Sequence, residues 1–174
     1  MRLFFALWPP PELARDLAEF AVQIAGQTGG RAMLASNIHL TLSFLGEVAN
    51  ARSSDAADAG RAAQKHARGG LLRLGAVRYW KKGGVVWAGP TQPVPGVLGL
   101  AQALREELEA RGFSPEDKPF APHVTLLRRA GPPGPPAPPP SIEWPVREFL
   151  LVRSEQTREG SIYTPLERFA LDDR

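Results

Sequence analysis

The sequence predicts an α+β domain built from two similar lobes related by pseudo-twofold symmetry, and three observations lead there. Strand-like and helix-like segments alternate along the 174 residues, yet hairpins lie among them, which favours antiparallel or mixed sheets over a doubly wound parallel sheet. Each half has a helix ahead of a strand that bears a histidine. Those two strands carry one frame, His39-Leu40-Thr41-Leu42 and His123-Val124-Thr125-Leu126, in a chain with only three histidines. The flanking sequences have drifted apart, so the repeat is read from the frame and the element order.

The elements follow in order. Arg2 to Trp8 is a short apolar run that reads as a buried strand. Pro9-Pro10-Pro11 ends it and suits a helix start, since proline is tolerated in the first turn. Leu13, Leu17, Phe20, Ala21 and Ile24 then recur at helical spacing until Gly29-Gly30. Arg31 to Ala35 reads as a short strand and Ser36-Asn37 as a turn into the strand of His39, which closes at Phe44-Leu45-Gly46. Ser53-Ser54-Asp55 offers N-caps for an alanine-rich helix to about Arg68. The third histidine, His66, lies at the end of that helix, where it suits the helix dipole or water and is given no catalytic role.

Leu71 to Trp80 and Val85 to Ala88 read as strands joined by a hairpin turn, Lys81-Lys82-Gly83-Gly84. Val97, Ala101, Leu104 and Leu108 mark an amphipathic helix to about Arg111, ended by Gly112. Pro122 biases the approach to His123 toward extended geometry. Residues 131–141 hold seven prolines and two glycines, so they read as a stiff exposed loop. Val146 to Arg153 and Ser161 to Leu171 read as two final strands. The resulting order is β-α-β-β-α-β-β-α-β-β-β, within one domain spanning residues 1–174.

Composition narrows the class. An apolar fraction of 43% supports a real core and 22% charge is ordinary for a soluble protein. No apolar stretch is long enough to span a bilayer, and the N-terminus lacks the features of a signal peptide, so a cytoplasmic location and no membrane partner are expected. The absence of cysteine excludes disulfides, thiolate metal sites and cysteine nucleophiles. The net charge of +3 is compatible with an anionic substrate without itself arguing for nucleic acid. No phosphate-binding glycine loop or nucleophilic serine elbow is present. Nothing demands more than a monomer.

The paired frames carry the chemistry. Alternation sets each histidine and its threonine on one strand face and the leucines or valine on the other. If the lobes face each other, four polar groups meet in one cleft. Imidazole titrates near neutrality, so one copy can accept a proton while the other gives one. A phosphodiester displacement needs both, and a threonine hydroxyl can donate to a phosphate oxygen. Arg128 is a further phosphate candidate, although strict alternation from His123 would turn it to the opposite face. No third histidine, cysteine or carboxylate stands at ligand spacing beside either frame, so neither a metal nor another cofactor is expected.

His39-Leu40-Thr41-Leu42-Ser43-Phe44-Leu45-Gly46 and Pro122-His123-Val124-Thr125-Leu126-Leu127-Arg128 resemble the two signature motifs of the 2H phosphoesterases. The nearer likeness is to the bacterial RNA 2′,3′-cyclic phosphodiesterases, historically called 2′-5′ RNA ligases. The opening Arg2-Leu3-Phe4-Phe5-Ala6-Leu7, the Pro-Pro-Glu-Leu at 10–13 and the closing Tyr163-Thr164-Pro165-Leu166-Glu167-Arg168-Phe169 are similar to that group as well. One departure is the mostly apolar Arg31-Ala32-Met33-Leu34-Ala35, where many relatives lead into the first motif with an aromatic or basic residue.

The resemblance implies a bilobal α+β fold with two antiparallel or mixed sheets facing a central cleft and helices outside. It also implies metal-independent hydrolysis of RNA 2′,3′-cyclic phosphate ends, or of small cyclic nucleotides, to 2′-phosphomonoesters. By position, His39 and His123 would be the acid–base pair, with His123 activating water and His39 protonating the 3′ oxygen, or the reverse, which the near-symmetry equally allows. Thr41, Thr125 and Arg128 would hold the phosphate, and Phe44 and Tyr163 are candidate base-stacking residues. Core packing is an equal reading for Phe44. Reversible 2′-5′ ligation of RNA uses the same groups in reverse, and a non-catalytic RNA-end-binding module is the alternative from another class.

Overall fold

The computed structural model describes residues 1–134 and 142–172, so most of the expected proline-rich loop at 131–141 lies outside the described residues. The opening run forms β1 (Arg2–Leu7), and Pro11 starts α1 (Pro11–Thr28), which ends where Gly29 takes a left-handed φ of 64°. A two-residue strand β2 (Arg31–Ala32) and a 3-10 turn (Ala35–Asn37) lead to β3 (Leu40–Glu47) and then α2 (Ser53–Gln64). After these come β4 (Gly70–Leu74), β5 (Ala76–Trp80), β6 (Val85–Gly89) and α3 (Pro95–Ala110). The chain closes with β7 (Val124–Arg128), β8 (Ile142–Val146), β9 (Glu148–Thr157) and β10 (Gly160–Ala170). This is the α+β architecture that the sequence predicts. No helix among the described residues is long and apolar enough to cross a membrane.

The principal sheet is antiparallel and runs β10-β9-β1-β3-β7-β6-β5, with β2 added against β7. Its two halves meet at a single residue pair, Leu40 opposite Val124. The lobes are therefore the half containing β10, β9, β1 and β3 and the half containing β2, β7, β6 and β5. The helices cross over between them. α1 precedes β3 in sequence but packs on β2 and β7, whereas α3 precedes β7 but packs on β3. This reciprocal exchange ties the lobes through one shared core, from Leu3, Phe5 and Leu7 of β1 to Leu126 and Leu127 of β7. The opposite face of β1 presents Phe4 and Ala6 to a smaller cluster with Leu150, Val152, Trp8, Phe44 and Tyr163.

Several element boundaries differ from expectation, each for a physical reason. The run 71–80 is two strands, because the chain turns at Gly75 and β4 leaves the main sheet to pair with β8. β8 lies ahead of the strand expected from Val146, and its pairing with β4 makes the second antiparallel sheet. Pro145 is accommodated there because proline is tolerated at the edge of a two-stranded ribbon. Ile142, Trp144 and Val146 point into the core while Glu143 and Pro145 face out. β2 is shorter than 31–35, and α2 stops at Gln64, leaving His66 exposed in the turn beyond it.

Candidate active site

The two frames are built alike down to their irregularities. Each histidine sits one residue before its strand, and each is followed by a β-bulge at the same offset. On β3, Thr41 pairs with Ala6 and Ser43 with Phe5, so Leu42 is the extra residue. On β7, Thr125 pairs with Trp87 and Leu127 with Val86, so Leu126 is the extra residue. A bulge inserts one residue and resets the alternation of faces. Phe44 thereby returns to the face of Thr41, opposite Phe4, and Arg128 returns to the face of Thr125. Strict alternation fails for Arg128 for this reason.

One cleft of about 900 Å³ collects every residue singled out in the sequence: His39, Thr41, Phe44, His123, Thr125, Arg128 and Tyr163. Counting outward from the Leu40–Val124 pair, the register sets His39 opposite Thr125 and Thr41 opposite His123. A second cleft of about 950 Å³ adjoins the first and shares Thr41, Phe44, Glu116 and His123 with it. His39 borders only the first cleft, whereas His123 borders both. Among the described residues, no group of three or more His, Cys, Asp or Glu side chains could hold a metal ion.

The histidines are oriented by their own backbone. His39 Nδ1 lies 2.8 Å from the Asn37 carbonyl oxygen, and His123 Nδ1 lies 2.8 Å from that of Ala121. A carbonyl only accepts, so each Nδ1–H donates and each Nε2 keeps its lone pair. The 3-10 turn brings the Asn37 carbonyl to His39, and the extended geometry before Pro122 does the same for Ala121.

Aromatic walls then distinguish the two rings. Trp8 stacks on His39 at 4.9 Å between centroids and 11° between planes, while Tyr163 and Phe4 close its other sides at 5.1 and 5.2 Å. His123 meets Trp80 edge to face at 4.7 Å, with Trp87 at 5.9 Å. Burial is the main reason that the His39 pKa falls from 6.5 to about 4, with the charges of Arg128 and His123 adding to it against the Asn37 hydrogen bond. His123 is lowered by the same means, burial first and Arg128 after, opposed by the Ala121 hydrogen bond. Both imidazoles are thus neutral in the free protein at pH 7, and an arriving anion raises both.

Trp8, Trp80 and Arg31 are site residues that the sequence does not single out. Trp8 belongs to an apolar run that reads as core, and Trp80 to a strand end. Arg31 lines the cleft together with Ala32, Met33 and Leu34, so the segment stays mostly apolar at the site and adds one charge to it. Phe44 combines both of its readings: it packs against the Phe4 cluster and lines the cleft, with the Arg2 guanidinium 4.9 Å from its ring centre.

Comparison with known proteins agrees with this geometry. The family description "2′-5′ RNA ligase superfamily" matches residues 9–158. The RNA 2′,3′-cyclic phosphodiesterase of Escherichia coli is 39% identical over 173 residues, covering 98% of this chain and 96% of that protein. The Thermus thermophilus protein of the same name is 38% identical over 181 residues, covering 98% and 90%. The crystal structure of E. coli LigT complexed with 3′-AMP superposes with a TM-score of 0.86 at 35% identity, covering 98% of this chain and 97% of the other. With a match across most of its length and two paired His-x-Thr frames facing one cleft, the chain belongs to the 2′-5′ RNA ligase superfamily.

Proposed function

We propose that this protein hydrolyses RNA 2′,3′-cyclic phosphate ends to 2′-phosphomonoesters by metal-independent acid–base catalysis between His39 and His123. The observation that carries the reading is the matched pair of imidazoles in one cleft, each with Nδ1–H tied to a backbone carbonyl and Nε2 left to exchange protons. The relatives named RNA 2′,3′-cyclic phosphodiesterase and the nucleotide held by E. coli LigT support the substrate class.

The reaction forms one P–O bond and breaks another. A water oxygen attacks the cyclic phosphorus as its proton passes to Nε2 of one histidine. The P–O3′ bond then breaks, and the other histidine, entering as the cation, gives its Nε2 proton to the departing 3′ oxygen. His123 is the base and His39 the acid in this scheme. His123 borders both clefts and so meets water from either, whereas the walled-in His39 cation is destabilised and gives up its proton readily.

The Thr41 and Thr125 hydroxyls, which have no protein partner among the described residues, donate to the non-bridging oxygens. Arg128 balances the charge that builds on the phosphorane. Phe44 and Tyr163 offer ring faces to the terminal base. A single chain supplies every group, which fits a monomer, and a cytoplasmic site of action fits an RNA substrate.

The test is incubation with a nucleoside 2′,3′-cyclic phosphate in EDTA, followed by identification of the monoester. The expected product is the 2′-phosphate, and His39→Ala or His123→Ala lowers kcat by about 10²- to 10⁴-fold. Turnover surviving either substitution refutes the two-histidine scheme, and dependence on added metal refutes its metal independence. Binding without turnover by the wild type would leave an RNA-end-binding module instead.

A further inference from the structure

β2 is only two residues long, yet its pairing sets two arginines directly opposite each other, Arg31 and Arg128. Opposed residues in an antiparallel pair share a face, with Cβ atoms about 5 Å apart. Both arginines line the catalytic cleft and both are exposed. Neither guanidinium has a hydrogen bond or ion pair among the described residues. The carboxylates that border the cleft do not neutralise them: Glu116 is held by Lys118, and Glu159 forms no ion pair among the described residues. Like charges directly opposed across a ladder destabilise it. A fold that keeps such a pair in a cleft has built a site for anions.

The backbone makes that pair rigid. A Cβ on Gly30, just before Arg31, would lie 2.8 Å from the Ala130 backbone, and one on Gly84 would lie 2.5 Å from the Ala130 carbonyl oxygen. Arg129, just after Arg128, is the one non-glycine residue with positive φ among those described, at 56°. The Arg129 and Ala130 amides donate to the carbonyls of Gly83 and Gly84, and the Met33 amide donates to Leu126. β2, the end of β7 and the β5–β6 turn are thereby locked together beneath the two guanidinium groups. Arg128 stands on β7 itself, three residues beyond Thr125 and five beyond His123, whereas Arg31 stands on the separate strand β2 laid against the end of β7, so the two charges reach the cleft from different strands.

We infer that Arg31 and Arg128 form a two-phosphate clamp, with Arg128 on the reacting cyclic phosphate and Arg31 on the phosphodiester at the 5′ side of the same nucleotide. The inference rests on the proposed phosphodiesterase reading and adds a specificity to it. A chain end, which carries that second phosphate, is preferred over a lone nucleoside cyclic phosphate, which lacks it. The exit of the RNA strand is then fixed toward β2.

The experiment compares adenosine 2′,3′-cyclic phosphate with its 5′-phosphorylated counterpart. In the wild type, kcat/KM is expected to be about tenfold higher for the 5′-phosphorylated substrate, the scale of a partly exposed charge-assisted hydrogen bond. The advantage should also fall as salt rises, with a log–log slope steeper by about 0.7 for the extra phosphate. Arg31→Ala collapses the ratio between the two substrates toward one, Arg31→Lys keeps part of it, and Arg128→Ala lowers both substrates while keeping the ratio. Should Arg31→Ala fail to fold by circular dichroism, Arg31→Gln reads the same ratio. A ratio unchanged by removal of the Arg31 charge overturns the clamp while hydrolysis itself stands. No turnover of either substrate by the wild type overturns the phosphodiesterase reading and the clamp with it.

Discussion

Trp8→Ala tests what makes the two imidazoles unequal. The indole lies flat against His39, and burial is the largest cause of the fall in its pKa from 6.5 to about 4. At about 1.4 kcal/mol per pH unit, that difference corresponds to roughly 3 kcal/mol disfavouring the His39 cation in the folded state. Removing the indole admits water to one ring face, while Tyr163, Phe4 and the Arg128 charge remain. The pKa should therefore rise by about one pH unit or more without regaining 6.5. A titration followed on the histidine Cε1–H resonances reads it directly.

Two further readouts follow from the same cause. Catalysis needs one proton shared between the histidines, so kcat/KM peaks between their pKa values, below 6.5, and falls as pH rises above the peak. Trp8→Ala moves the acidic limb of that profile to higher pH. Stability responds too, because an unfolded histidine titrates near 6.5 and the folded one only near 4. Between those values the unfolded chain holds a proton that the folded chain does not. Stability therefore drops as pH falls through this window, by up to roughly 3 kcal/mol, and the group contributes nothing to the dependence above it. Wild-type His39 titrating near 6.5, or a pKa unmoved by Trp8→Ala, would refute burial as the cause.

The remaining predictions concern the phosphate donors and the backbone beneath the arginines. Thr41→Val and Thr125→Val keep the side-chain shape but remove the donor, and each should lower kcat/KM about ten- to a hundredfold with unchanged thermal stability. Gly84→Ala must fit a methyl group 2.5 Å from the Ala130 carbonyl oxygen at a φ of 57°. A loss of at least about 2 kcal/mol is expected from urea unfolding. A variant as stable as the wild type would show that the β5–β6 turn yields freely.

What could be read from the sequence was local, and what could not was tertiary. β1, α1, α3 and the β5–β6 hairpin follow from periodicity and from proline and glycine punctuation, and all four form close to where they were expected. The strand β8 lies between the proline-rich loop and the strand expected from Val146, and only its pairing with β4 reveals it. Gly75 split a continuous-looking run for a similar reason, since only the pairing of β4 with β8 reveals the departure. The exchange of α1 and α3 between lobes leaves no mark on either helix, whose apolar stripe would fit both surfaces.

The site was more legible than its surroundings. All seven residues named from the sequence line one cleft, because two frames with the same polar–apolar pattern place their polar groups alike. The exception within that set is instructive. Alternation pointed Arg128 away, and the bulge at Leu126 that turns it back is set by pairing with β6, which no reading of β7 alone contains. Trp8 and Trp80 were missed because a large apolar side chain beside an imidazole of the cleft looks the same in sequence as one in the core.

The lone backbone pair between Leu40 and Val124 also sets how the two imidazoles stand relative to each other. The two halves of the sheet share only this backbone pair along the β3–β7 seam. His39 and His123 are each bonded to a residue of that pair, so one pairing refers both rings to a single point of the seam. A substitution that displaced Leu40 from Val124 would therefore reach both imidazoles through one peptide bond each.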